Sequence, residues 1–382
     1  MRKVLVCGFS LFFLIAAGAG LFAGGGQESS SGPVLTMAPA NFDDLVKAAQ
    51  KEGQLTVIAL PRTWLNYGEA IDTFAKKYGI KINELNPDGG SGDELQAIQA
   101  NKDNTGPQAP DVIDVGFSFG LDAKKAGLLA PYKVKTWSTI PDSVKDPDGY
   151  WYGDYYGVLS FEVNLDVVKT PPLNWPDLLT PAFKNQVALT GDPRVSNQAI
   201  MSVAAAALAN GGSFENAQPG VDFFAKLNSA GNFVPLIAKM GTVASGETPV
   251  AVTWDYLAMG DRDTAAGNPN IGVIIPTSGV LAGVYVQAIS AYAPHPNAAR
   301  LWEEFLYSDE GQLVWLKGYG HPIRYADLAA RSVIPDSIAS KLPPASYYEK
   351  AVFPTLDQQS AAKTFIVNNW DSIVGVNVKA KQ

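Results

Sequence analysis

Cysteine and histidine are nearly missing from this sequence. One Cys, at position 7, and two His, at 295 and 321, occur in 382 residues, too few for a Cys/His metal cluster or a disulfide framework. Most histidine-dependent catalysis is excluded with them. His295 sits between Pro294 and Pro296 and His321 precedes Pro322, so both read as loop residues, with no Ser or Cys nucleophile at a recognisable spacing. Positive charge is also scarce: Asp and Glu outnumber Lys and Arg 37 to 29, for a net charge of −8. That balance excludes a protein that binds nucleic acid by neutralising phosphates. What is present is apolar mass. Hydrophobic residues reach 47%, which excludes disorder over most of the chain, and the length fits one large or two medium domains.

The first segment reads as an address. Arg2 and Lys3 precede an apolar run, Val4 to Ala23, with small residues gathering toward Ala23 and Gly24–Gly26. This is the order of a secretory signal peptide, residues 1–23, followed by a flexible segment over 24–40. The alternative is an uncleaved anchor, since about 20 apolar residues can span a bilayer. Cys7 lies too early in the run to be a lipoprotein cysteine. Cleavage would leave a chain without cysteine, folding outside the cytoplasm on its hydrophobic core alone.

Strand and helix patterns then alternate. Gln54–Leu60, Ile80–Leu85 and Asp111–Val115 read as buried strands. Helical spacing follows each, over Ala70–Tyr78, Asp93–Asn101 and Ala123–Leu129. After Asn164 the pattern restarts, with strands at Val187–Thr190 and Pro249–Trp254 around an alanine-rich helix, Ala199–Ala209. Long helices close the chain at Asn297–Ser308, Glu310–Lys317 and Gln358–Ile373. Alternation of this kind predicts open α/β sheets with parallel crossovers. Two α/β lobes on one acidic, exported chain place a small-ligand cleft between them.

Ligands in such folds sit beyond the carboxyl ends of strands, which selects several loops. Trp64 and Tyr67 follow the first strand in a polar setting, where an aromatic face can hold an ammonium for about 0.5–2 kcal/mol per contact. Asp88-Gly-Gly-Ser91-Gly92 leads into a helix and suits an anion, or is a plain turn before an Asp93 cap. Ser118 occupies the comparable loop after the third strand. In the second half, Asp192 follows a strand, and Trp254, Asp255 and Tyr256 follow another. Tyr285 and Gln287 share one face of a strand. Tyr155 and Tyr156 are adjacent in an extended segment, so they face opposite sides and cannot both enter one cleft.

Several segments resemble the periplasmic solute-binding proteins of ABC importers, in the group of iron(III), thiamine, polyamine and organophosphonate receptors. They are AIDTFAKKYGIKI, APDVIDVGFSFGLDAKKAGLLAPY, DPDGYWYGDYYGVLSFEVN, SGETPVAVTWDY, and PHPNAARLWEEFLYSDEGQ with GHPIR. They occur in the family's order over residues 54–325. The resemblance implies an α/β, two-lobed, type II periplasmic-binding-protein-like fold. Lobe 1 would comprise 41–162 with 284–382 and lobe 2 would comprise 163–283, joined by hinge strands. It implies no cofactor, no catalytic residue and no metal. Its partners would be a small solute and a membrane permease, without nucleic acid, and it would act as a periplasmic monomer. Trp64, Tyr67, Asp192 and Trp254 match cleft residues of polyamine receptors. The iron branch's adjacent tyrosines are reduced here to Tyr256 in Trp-Asp-Tyr, and an expected acid is replaced by Gln287. The resulting expectation is a receptor for a polyamine-like or other small amine. Thiamine or its phosphate, 2-aminoethylphosphonate and iron(III) are the alternatives, and an exported hydrolase or lyase is a remote one.

Overall fold

The apolar run Leu55–Ile58 forms β1 (Gln54–Ile58), which pairs in parallel with β2 (Lys81–Leu85). This pair belongs to a computed structural model that describes residues 39–381 apart from 345 and 347. The leader read at Met1–Ala23, and the segment up to residue 38, lie outside the described residues. Among the described residues no helix is long and apolar enough to cross a membrane.

The remaining strands are β3 (Val112–Gly116), β4 (Leu129–Ala130), β5 (Tyr152–Asn164), β6 (Val187–Leu189), β7 (Val250–Trp254), β8 (Ile271–Ile274), β9 (Ala282–Ser290) and β10 (His321–Pro322). They join in one mixed sheet whose main path runs β3-β9-β5-β7-β6. Only β6–β7 is parallel in it; β3–β9, β9–β5 and β5–β7 are antiparallel. The expected parallel crossovers therefore hold locally, while two long returning strands reverse direction. β5 is the longer of them. Tyr152–Val158 pairs with β9, and Leu159–Val163 pairs with β7. One strand thus crosses from one α/β lobe into the other.

Each lobe has its own aromatic core. In the first, Tyr67, Phe74, Trp302, Phe305 and Trp315 meet edge to face or stacked. In the second, Phe161, Trp175, Phe223 and Phe224 form a similar chain. The C-terminal helix, Leu356–Ile373, touches both lobes. Its Trp370 ring lies 5.8 Å from Phe224 and 6.3 Å from Phe233, while Lys363 reaches Asp122 and the carbonyl of Ser118 on the other lobe. Helical periodicity marks the buried face of such a helix but not the core it enters. The helix expected at Ala123–Leu129 shifts. It spans Phe117–Lys125, and Leu129 instead begins β4, paired with β9.

Asp111 locks the first lobe together. It is fully buried, its N–H donates to Thr56 O at 2.9 Å, and its carboxylate accepts the N–H groups of Thr56 and His295, both at 2.7 Å. The carboxylate also meets His295 Nδ1 at 2.9 Å, so this loop histidine is tied down at the residue before the Pro296–Leu306 helix. Asp111→Ala strips partners from buried donors and is expected to cost about 2–4 kcal/mol in denaturant unfolding. Hydrogen bonding to Asp111 raises the His295 pKa above its ordinary 6.5. The stability from this pair is therefore complete below that value and fades as pH rises through the folded one. The melting-temperature difference between wild type and His295→Asn should shrink as pH increases from 6 to 9.

Candidate functional site

The carboxyl ends of β1, β3 and β6 open onto one cavity of about 600 Å³. Its first wall carries Trp64, the turn Asp88–Gly90, Ser91, Glu94, Asp114 and Tyr155. The second carries Thr190–Asp192, Ser196–Gln198, Lys239 and Thr242, and Tyr285 of β9 also faces it.

The floor is acidic and aromatic. Both the Tyr67 and Tyr155 hydroxyls donate to Asp114 Oδ2, at 2.7 and 2.8 Å, and Trp64 Nε1 donates to the Tyr155 hydroxyl at 2.8 Å. Gln287 Nε2 donates to the Tyr67 hydroxyl at 2.9 Å and to Asp154 Oδ2 at 3.1 Å. Glu94 Oε2 accepts the Asp114 N–H at 3.0 Å. Glu94, Asp114 and Asp154 are all buried, and among the described residues no Lys, Arg or His forms an ion pair with any of them. Desolvation therefore dominates their titration. It pushes Asp114 up to about 6, against hydrogen bonds from Tyr67, Tyr155 and Asp154 that hold it down. It drives Glu94 and Asp154 well above the usual carboxylate range, and the neighbouring Asp114 adds to both shifts.

The other wall presents donors. Ser196 caps the Asn197–Ala209 helix by accepting the Ala199 N–H at 3.4 Å, and Ser196, Asn197 and Gln198 place the entrance of that helix on the cavity. Contacts cross the cleft beside the cavity. Gly92 N–H donates to Val195 O at 3.1 Å, and Lys239 Nζ pairs with Asp88 Oδ1 at 2.9 Å. The lobes are closed on one another. The ion pair is half exposed and contributes little by itself.

Four of the residues selected from the sequence line this cavity: Trp64, Ser91, Asp192 and Tyr285. The other six do not. Tyr67 and Gln287 lie behind the floor and act on Asp114. Leu65 and Asn66 adopt left-handed backbone (φ 47° and 63°), which turns Trp64 toward the cleft and Tyr67 into the core. Ser118 is buried inside a helix. Trp254 is fully buried and donates to the Tyr285 hydroxyl at 3.3 Å. Asp255 is fully buried and accepts the Val158 N–H at 2.9 Å. Tyr256 packs edge-on beneath Trp64 and Tyr155. Asp192 is held by its own neighbour, with Arg194 Nε and Nη2 at 2.9 and 2.5 Å, so its charge is already compensated.

Sequence reasoning passed over Glu94, Asp114, Asn197 and Lys239, and left open which of Tyr155 and Tyr156 faces inward. Tyr155 does, while Tyr156 stacks on His321 at 4.6 Å. One signal was available: Asp114 interrupts an apolar strand, and a buried acid without a basic neighbour is costly unless it has a task.

Residues 108–357 match the family of bacterial extracellular solute-binding proteins. The chain belongs to that family. Among curated relatives, a protein of Salmonella typhimurium named "Putative 2-aminoethylphosphonate-binding periplasmic protein" is 27% identical over 270 residues, 68% of this chain and 74% of its own length. Iron uptake protein A1 of Synechocystis is 25% identical over 262 residues, 65% of this chain and 70% of its own. Among solved structures, the periplasmic binding protein AfuA of Actinobacillus pleuropneumoniae aligns with a TM-score of 0.65 and 21% identity, over 85% of this chain and 99% of its own. Iron-bound HitA of Pseudomonas aeruginosa gives 0.64 and 19%, with the same coverage. This solute-binding protein therefore has the two-lobed periplasmic-binding-protein fold and serves as the substrate-binding component of an ABC importer.

Its acidic floor makes stability fall with pH. A folded Asp114 pKa near 6, above the ordinary 3.8, means that the folded state favours the protonated form. That stability is full below the ordinary value and is lost as pH rises through 6. Thermal melts of the ligand-free protein from pH 4 to 8 should show this decline, and Asp114→Asn should flatten it.

Proposed function

We propose that this receptor captures a small zwitterion carrying an ammonium group and a compact anion, with 2-aminoethylphosphonate as the best candidate. The observation that carries the reading is the Glu94–Asp114 carboxyl pair. It sits on the cavity wall without a cation of its own and faces a helix entrance across the cleft. Buried carboxyl groups without a partner are stabilised by a cationic ligand. The helix entrance, Thr242 and the nearby Lys239 supply donors and positive charge for a phosphonate. The Salmonella relative's name fits this combination. Trp64, Tyr155 and Tyr285 would flank the short carbon linker. Tyr256 lies outside the lining, so the adjacent-tyrosine arrangement of the iron branch is not reproduced here, and a diamine would leave the donor wall without an anion.

Capture needs no chemistry. One lobe comprises 41–162 with 284 onward and the other 163–283, and they swing about β5 and β9. The solute touches both walls only in the closed form, so its binding shifts the population toward closure. The closed monomer, exported by its leader to the periplasm, then docks on a membrane permease.

Calorimetry at pH 7.5 tests the reading with 2-aminoethylphosphonate, ethylphosphonate, putrescine and ferric citrate. Binding of 2-aminoethylphosphonate at least tenfold tighter than ethylphosphonate is expected, with Glu94→Gln removing most of that preference. Tighter binding of putrescine or of ferric citrate would replace the proposal.

A further inference from the structure

Glu94 lies in the Ser91–Ala100 helix, is 2% exposed, and lines the cavity. Its Oε2 accepts one backbone N–H, from Asp114 at 3.0 Å. The neighbouring carboxyl is far better served. Asp114 Oδ2 accepts two phenol hydroxyls, from Tyr67 at 2.7 Å and Tyr155 at 2.8 Å, and Asp154 adds a third side-chain hydrogen bond. Donors directed at a carboxylate favour its charged form, and that charge disfavours a second one close by. Of the two acids on the cavity wall, Asp114 therefore carries the charge and Glu94 the proton.

The surroundings of Glu94 push the same way. Asp93 on its own helix, Asp114 on β3 and Asp154 on β5 are all acids, and Tyr285 on β9 is a neutral phenol. Across the cavity Lys239 is taken by Asp88 and Asp192 by Arg194, and at the mouth Lys381 is taken by Glu247. Burial, with Asp114 beside it, accordingly raises Glu94 well above the usual carboxylate range. An ammonium group entering the cavity reverses this balance. Its charge removes the penalty on a second carboxylate, and Glu94 is the lining acid with a proton to lose.

We propose that capture is coupled to proton release: Glu94 holds a proton in the empty receptor and yields it to water as the ammonium end of the solute docks against Asp114. A purely anionic solute leaves that proton in place. An ammonium solute displaces it, so its binding tightens as pH rises toward the value at which empty Glu94 ionises, by linkage about tenfold per pH unit. The exchange rests on the ammonium end of the solute proposed above and not on its phosphonate.

Two measurements on the full chain test it. Infrared spectra of the ligand-free protein at pH 7.5 should contain the carbonyl stretch of protonated carboxylic acids, and Glu94→Gln should weaken that band. Identical bands in the two proteins overturn the proposal, whatever the solute. Calorimetry of wild type at the same pH, in PIPES, HEPES and Tricine buffers, counts protons through the buffers' different heats of ionisation and needs no variant. 2-Aminoethylphosphonate should release about one proton more than ethylphosphonate, and its affinity advantage should grow about tenfold from pH 6.5 to 7.5. Equal release by the two phosphonates overturns the proposal. If putrescine binds and 2-aminoethylphosphonate does not, the solute assignment falls alone, and the proton count with putrescine decides the role of Glu94. Binding of neither amine overturns both.

Discussion

The structure depends on one strand serving two cores. β5 pairs with β9 in its first half and with β7 and β8 in its second, and all but one of its thirteen residues are buried. Its middle is paired as well, with the β9 register ending at Val158 and the β7 register starting at Leu159. Its neighbour β9 is shared in the same way between β3 and β5. The cavity lies beside these two strands, which carry Tyr155 and Tyr285 of its lining and Gln287 behind it.

That arrangement gathers the acids of the site. Asp114 on β3 and Asp154 on β5 stand on either side of β9 and are joined through Gln287 and Tyr67. Phenol and amide donors reach Asp114 Oδ2 and Asp154 Oδ2 without supplying charge. A lysine in place of any of these donors would supply the charge that the floor lacks among the described residues.

Much of the fold was legible because it is written in periodicity. β1, β2, β3, β6 and β7, and the helices around them, fall within a few residues of where apolar spacing placed them. The crossing strand was legible through its family likeness. The parts that escaped depend on contacts distant in sequence: the antiparallel return of β9, and the conversion of Ala123–Leu129 into a helix end plus β4. The site was read less well, for a related reason. Loops after strands were the right place to look, and Trp64, Ser91, Asp192 and Tyr285 do line the cavity. Yet a left-handed pair of residues at 65 and 66 reverses the expected roles of Trp64 and Tyr67, and no spacing rule anticipates that. The acids of the floor lie within a strand and a helix, where an unpaired carboxyl is the only local sign.

The end of the chain adds a practical point. Lys381 lines the cavity mouth and pairs with Glu247 of the second lobe, after a helix that touches both lobes through Lys363 and Trp370. A dye attached at Lys381 would therefore stand at the cavity entrance, against the second lobe.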